Sequence, residues 1–150
     1  MPGLDRRPAQ VLRLIADGGT PTTITKDLGI TANAVRTHLT RALDHTGAGR
    51  GSPARPAAVH TAYTTGLLPP PAPLPDRIDL PGPLRDLIPL LAQGRSVDQI
   101  AATLHCTPHT VHAELKKLER ALGARSPAHV ITRAWQYGLA PTSAAGEEAR

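Results

Sequence analysis

Between Ser96 and Leu122 apolar residues recur with a helical period, are interrupted, and recur again. Val97, Ile100, Ala101 and Leu104 fall on one face of a short helix, and Ser96 with Gln99 has the spacing of a capping box. His105-Cys106 breaks the pattern. Thr107 then offers a hydroxyl cap, and Pro108 falls at the first helical position, where its missing N–H had no partner to lose. Val111, Leu115, Leu118 and Leu122 resume the seam, which leaves His109, Thr110, His112, Ala113, Lys116 and Lys117 facing away from it. Two short helices across so brief a turn predict a helix-turn-helix, whose second helix commonly lies in the DNA major groove.

The same pattern stands 76 residues earlier. Leu14-Ile15-Ala16 answers Leu90-Leu91-Ala92, Gly18 answers Gly94, and Thr20 answers Ser96. Ile24, Leu28, Thr31, Val35, Leu39 and Gly47 answer Ile100, Leu104, Thr107, Val111, Leu115 and Gly123 without a gap. Caps, core and turn positions agree together, which predicts a duplicated module: two copies, enough for an intrachain pair and too few for a solenoid.

In chain order, copy one spans residues 4–68. Leu4 to Asp17 carries a buried stripe of Val11, Leu12, Leu14 and Ile15; Pro8 fits only a first turn, and Gly18-Gly19 ends the helix. Thr22 to Leu28 follows behind Thr20-Pro21, a helix of poor propensity that packing must hold. Gly29-Ile30 turns the chain, and Thr31 caps a longer helix to about His45. After the Gly47–Ser52 loop a fourth helix is expected over Pro53 to Thr65. That loop is two to four residues longer than Gly123–Ser126, depending on whether Ser52 pairs with Ser126 or Gly66 with Gly138.

Residues 69–82 form a proline-rich linker, expected to be extended and to act as a tether. Copy two spans residues 83–140. It opens with Leu84, Leu87, Ile88 and Leu91, where Pro89 predicts a kink or a late start, and closes with a helix from about Pro127 to Tyr137 that turns Val130, Ile131, Ala134 and Trp135 inward. Residues 141–150 are small, polar and acidic, which predicts a disordered tail. The fold class expected is therefore all-α: two small four-helix helix-turn-helix domains in tandem.

Composition agrees. With no Phe, one Trp and two Tyr, the cores must be built from Leu, Ile, Val and Ala, which suits small helical domains. A net charge of +5 and an isoelectric point of about 10.1 point to a polyanionic partner. The single Cys106 answers Ile30 and reads as a core thiol. No secretion signal or membrane-length apolar run is present, so a cytoplasmic, nucleoid-associated protein with no membrane contact is expected.

The pattern resembles the DNA-binding domain of the LuxR/GerE family, four helices of which the third is the reader. Copy two carries the scaffold as Ala92-Gln93-Gly94-Arg95-Ser96, Ile100-Ala101 and Leu104, and ends with Leu122-Gly123-Ala124-Arg125-Ser126. Copy one is looser in its second helix and closer in the reader, Ala34-Val35-Arg36-Thr37-His38-Leu39. Copy two departs there, with His112 at the family's basic position and Glu114 at its histidine. A carboxylate at a groove-facing site repels phosphates, although it can accept from cytosine N4.

The resemblance implies a bacterial transcriptional regulator with double-stranded DNA as partner and dimerisation through the fourth helix. In this chain Val59 and Tyr63 would meet Ile131 and Trp135 in an intrachain pseudo-dimer; a homodimer through the same helices is the other arrangement.

The candidate DNA contacts in copy one are Thr31, Asn33, Arg36, Thr37, His38, Thr40 and Arg41. Arg36 can fork onto guanine or neutralise a phosphate, and Asn33 suits adenine. In copy two they are Thr107, His109, Thr110, His112, Lys116 and Lys117, the lysines as phosphate anchors. The bland reading of each is a solvated helix face or a helix cap. The histidines lack the cysteine partners of a structural zinc site, so no metal is expected. No nucleophile–base pair, P-loop glycine run or dinucleotide fingerprint appears, so neither enzymatic activity nor a cofactor is expected. The alternative function is a protein-interaction module that captures another regulator or a sigma factor through its helix-turn-helix scaffold without reading DNA.

Overall fold

A computed structural model describes residues 4–141; the tail expected over 141–150 lies outside the described residues except for its first position. Every regular element among the described residues is a helix: α1 (Arg6–Ala16), α2 (Pro21–Leu28), α3 (Ala32–Thr46), α4 (Ala54–Thr65), α5 (Gly82–Arg85), α6 (Leu87–Ala92), α7 (Val97–Leu104), α8 (Pro108–Leu122) and α9 (Pro127–Gln136).

Local chemistry sets these boundaries. Ser96 and Gln99 close a full capping box on α7: the Gln99 amide donates to Ser96 Oγ at 3.2 Å and the Ser96 amide to Gln99 Oε1 at 2.9 Å. Thr20 and Thr23 do the same on α2, at 3.2 and 2.9 Å, with a threonine where a glutamate or glutamine is usual. The Thr25 hydroxyl is absorbed locally, its Oγ1 donating to the Pro21 carbonyl at 2.9 Å. Ile24 and Ile100, both fully buried, anchor α2 and α7, each contributing about 1.5–3 kcal/mol of apolar burial.

The kink expected at Pro89 is present. The first helix of the second half is split at Asp86 into α5 and α6, because Pro89 has no N–H to donate and its ring crowds the Arg85 carbonyl one turn back. Between α7 and α8 the chain turns through His105 in the left-handed region, φ 57°, where the first half has Gly29 at φ 64°.

α1 packs on α3, α2 on α3, α7 on α8, and α5 on α8, so each half frames its long helix from behind. The halves do not stand apart. α4 packs more extensively on α9 than on any other element, α4 also touches α6, and α1 touches α9. One buried cluster runs through both halves, from Val11, Ile15 and Val35 through Val59 to Ile88, Leu118 and Ile131.

Those cross-contacts obey a reciprocal rule. α4 meets α6, the second part of the split first helix of the second half, and α9 meets α1, the first helix of the first half, as a two-fold axis would require. Side chains repeat it. Tyr63 Oη and Thr132 Oγ1 lie 2.8 Å apart, while Trp135 Nε1 donates to His60 Nδ1 at 3.2 Å. Tyr63 and Trp135 stand 72 positions apart, as do His60 and Thr132, so the two bonds join positions related by one sequence spacing. Gly18 lies against His129 and Arg125, and Gly94 against Ala57 and Pro53, two further pairs spaced by 72. The spacing of 76 that holds through α3 and α8 has become 72 in α4 and α9. Gly66 therefore pairs with Gly138, and the Gly47–Ser52 loop carries four extra residues.

The proline-rich segment is not helical, as expected, but it does not hang free. The Leu74 amide donates to the Gln136 carbonyl at 2.9 Å, and Gln136 Nε2 donates to the Ala72 carbonyl at 3.1 Å. Leu80 is buried and Ile78 packs against the core. Its apolar residues thus bind it to the core and two of its backbone groups to the end of α9, which makes it a strap rather than a spacer.

Candidate nucleic-acid interface

α3 and α8 are built alike. Each has 15 residues, begins behind a threonine cap and ends at a left-handed glycine, Gly47 or Gly123. Thr31 Oγ1 accepts from the Ala34 amide at 3.1 Å, and Thr107 Oγ1 from the Thr110 amide at 3.1 Å. The Thr110 hydroxyl bonds that of Thr107 at 3.0 Å. These three threonines hold the helix starts. Val35, Leu39, Ala42 and Leu43 seat α3 on the core, and Val111, Leu115, Leu118 and Leu122 seat α8.

The outward faces differ in chemistry. On α3, Asn33, Arg36, Thr37 and Arg41 are exposed, and Arg36 Nη1 donates to Asn33 Oδ1 at 3.2 Å. Thr40 and His38 are half-buried, and His38 Nδ1 is a buried atom without a hydrogen-bond partner among the described residues. On α8, His109, His112, Lys116 and Lys117 are exposed. Lys117 Nζ lies 3.1 Å from Glu114 and Lys116 Nζ 3.9 Å from Glu119, so both lysines sit beside carboxylates of their own helix.

Glu114 does not project with the histidines. It lines a recess with Pro83, Leu87, Leu104 and Cys106, at the edge of the α8 seat. His38 and Glu114 hold corresponding positions and are both half-buried, where a groove-facing position was expected for Glu114. Two exposed cations outside the predicted set also border these helices: Lys26 in the last turn of α2 and Arg120 in the last turn of α8. Arg120 follows Lys116 by four positions, a spacing that was readable in advance. Cys106 is a half-buried free thiol packed against the core.

Behind α3 and α8, burial governs the two titrating groups of the joint. Tyr63 has its pKa pushed up by burial, an effect that its hydrogen bond with Thr132 partly opposes. His129 has its pKa pushed down by burial, then by the Arg133 and Arg125 charges. The Arg125 amide donates to His129 Nδ1 at 3.1 Å, so the proton of the neutral ring sits on Nε2.

Among the described residues no group of three or more His, Cys, Asp and Glu side chains could hold a metal ion, and no helix is long and apolar enough to cross a membrane. No curated protein and no solved structure matches the chain. Residues 85–134 match the family model described as bacterial regulatory proteins, luxR family, a segment from the end of α5 through most of α9. The match spans about a third of the chain and includes no part of the first half. The segment that holds α7 and α8 is thus similar to a domain of bacterial regulatory proteins.

Proposed function

We propose that this chain is a bacterial transcriptional regulator made of two luxR-type helix-turn-helix modules, residues 4–68 and 83–140, strapped together by residues 69–82. The modules form an intrachain pseudo-dimer that presents α3 and α8 to two non-identical half-sites of one duplex, at the nucleoid and in the cytoplasm. The observation that carries this reading is the reciprocal joint, in which Tyr63–Thr132 and Trp135–His60 are mates under one pseudo-two-fold. Such an axis sets two reader helices in matching poses on DNA, itself close to two-fold symmetric. Thr31, Asn33, Arg36, Thr37, His38, Thr40 and Arg41 belong to the first proposed reader. Thr107, His109, Thr110, His112, Lys116 and Lys117 belong to the second.

A protein-capturing module needs an unpartnered apolar face on its fourth helix. Here α4 and α9 cover each other, and Leu104 is the one large apolar side chain left exposed among the described residues. The same cover argues against a homodimer through the fourth helices.

The test is a titration of the purified chain into labelled duplex at rising salt. Affinity should fall steeply and linearly on logarithmic axes, as counterions are released from each neutralised phosphate. Affinity that is independent of salt, or absent from duplexes chosen by selection from random sequence, overturns the proposal.

A further inference from the structure

We propose that the two readers divide the work unequally: α3 supplies the base discrimination, through Arg36 and Asn33, and α8 serves mainly as an electrostatic anchor. The inference rests on the DNA-binding reading above and goes further, because it assigns specificity to the half of the chain that matches no family model.

Net charge does not separate the two helices. α3 carries Arg36 and Arg41 against Asp44, and α8 carries Lys116, Lys117 and Arg120 against Glu114 and Glu119. Placement does. The one carboxylate of α3 is turned to the following loop, where Asp44 takes both prongs of Arg50 at 2.9 and 3.1 Å. Nothing on α3 therefore opposes Arg36, whose partner among the described residues is the neutral Asn33 carbonyl oxygen. That bond occupies Nη1 and leaves the Nε–Nη2 edge open. This edge is a two-donor fork, the geometry that reads O6 and N7 of guanine. The same bond orders the exposed Asn33, whose NH2 group remains a donor. A guanine contacted by Arg36, with adenine beside it for Asn33, is the half-site this arrangement fits.

The corresponding stretch of α8 has no such fork. His112 replaces Arg36, His109 replaces Asn33, and Glu114 brings a negative charge to the first half of the helix. Lys116 and Lys117 are point charges, each already beside a carboxylate, which suits them to phosphate rather than to a base edge.

The full-length chain is first used to select a duplex from random sequence. Affinity is then measured for that duplex and for single-base variants of each half. Arg36→Ala should weaken binding about tenfold or more and level the ranking among variants of one half-site. Arg36→Lys, which keeps the charge and loses the fork, should level the same ranking while the salt slope stays near that of wild type. Lys116→Ala combined with Lys117→Ala should cost about threefold, equally for every duplex, and reduce the salt slope. All these side chains are exposed, so circular dichroism should show an unchanged fold. A ranking that survives Arg36→Lys, or that disappears with the lysine pair, overturns the inference and leaves the regulator standing. Wild type that binds DNA with no preferred sequence also refutes it alone, whereas wild type that binds no duplex at all sinks both.

Discussion

Removing one hydroxyl from the α4–α9 joint should destabilise the whole molecule. Thr132 is 4% exposed and Tyr63 7%, and their oxygens lie 2.8 Å apart. Thr132→Val keeps the shape of the side chain and leaves the Tyr63 hydroxyl buried without that partner. An unsatisfied buried hydroxyl costs about 1–3 kcal/mol. Tyr63→Phe is milder, about 1 kcal/mol, because the Thr132 hydroxyl can turn to a carbonyl of its own helix. With both changes together no polar atom of the pair is stranded. The double variant should then fall short of the sum of the singles by about 1 kcal/mol.

The assay is urea unfolding followed by two signals. Trp135, the chain's single tryptophan, lies 5.5 Å from Tyr63 between ring centroids and so reports on the joint. Far-ultraviolet circular dichroism reports on all the helices. For a denaturant slope of about 2 kcal/mol per molar, a loss of 2 kcal/mol moves the midpoint down by about 1 M. Both signals should move together, because one buried cluster runs through both halves. A coupling below about 0.3 kcal/mol, or fluorescence that changes well before the helical signal, would refute the claim that the joint belongs to the cooperative core.

Three other perturbations test separate features. His129 is held neutral, so its folded pKa lies below the unfolded value near 6.5, and the stability it contributes is present above about pH 6.5 and lost as pH falls through the folded pKa. The slope from this residue cannot exceed about 1.4 kcal/mol per pH unit, and His129→Gln should flatten the pH profile of the urea midpoint in that range. Gly18→Ala puts a methyl 2.8 Å from His129 Nδ1 at φ +96°, whereas Gly94→Ala meets Ala57 Cβ at 3.3 Å. The first should cost about 2 kcal/mol or more and the second about 1–2 kcal/mol in thermal unfolding, and the reverse order would refute this packing. His105→Gly relieves a left-handed residue of about 1–2 kcal/mol of strain against about 0.5–1 kcal/mol of added chain entropy. The melting temperature should rise by about 1–4 °C, and a fall would show that the imidazole itself stabilises the turn.

The sequence was most legible where structure is made locally. Thr20, Thr31, Ser96 and Thr107 announced helix starts because a cap is satisfied within three residues. Pro89 announced a break for a similarly local reason. What it concealed depends on distant partners. The sequence left the change of spacing at the Gly47–Ser52 loop open between two and four residues, and the choice of four rests on contacts far apart in the chain, Tyr63 with Thr132 and His60 with Trp135. Proline content foretold a segment without helix, read as a free tether, but not that Leu80 and the Gln136 backbone would hold it down. His38 and Glu114 show the limited angular resolution of a periodicity argument. Each sits one position before a buried leucine, Leu39 or Leu115, and such a position belongs equally well to the rim of the core or to the outer face.

The joint and the readers can be connected by one physical consideration. Two separate copies that met through their fourth helices would carry identical readers, and any substitution made to one would be made to both. Covalent linkage removes that constraint. It also relaxes what the interface must supply, because a strap of 14 residues makes association intramolecular, at an effective concentration on the order of millimolar. The α4–α9 joint, with two hydrogen bonds and an aromatic pair at its polar edge, then holds the two proposed readers in register. In the proposed regulator, Arg36 is free to keep the fork that reads a base while the matching position becomes His112. The asymmetric operator expected for this chain follows from that freedom: a half-site with strong base preference beside one bound mainly through its phosphates.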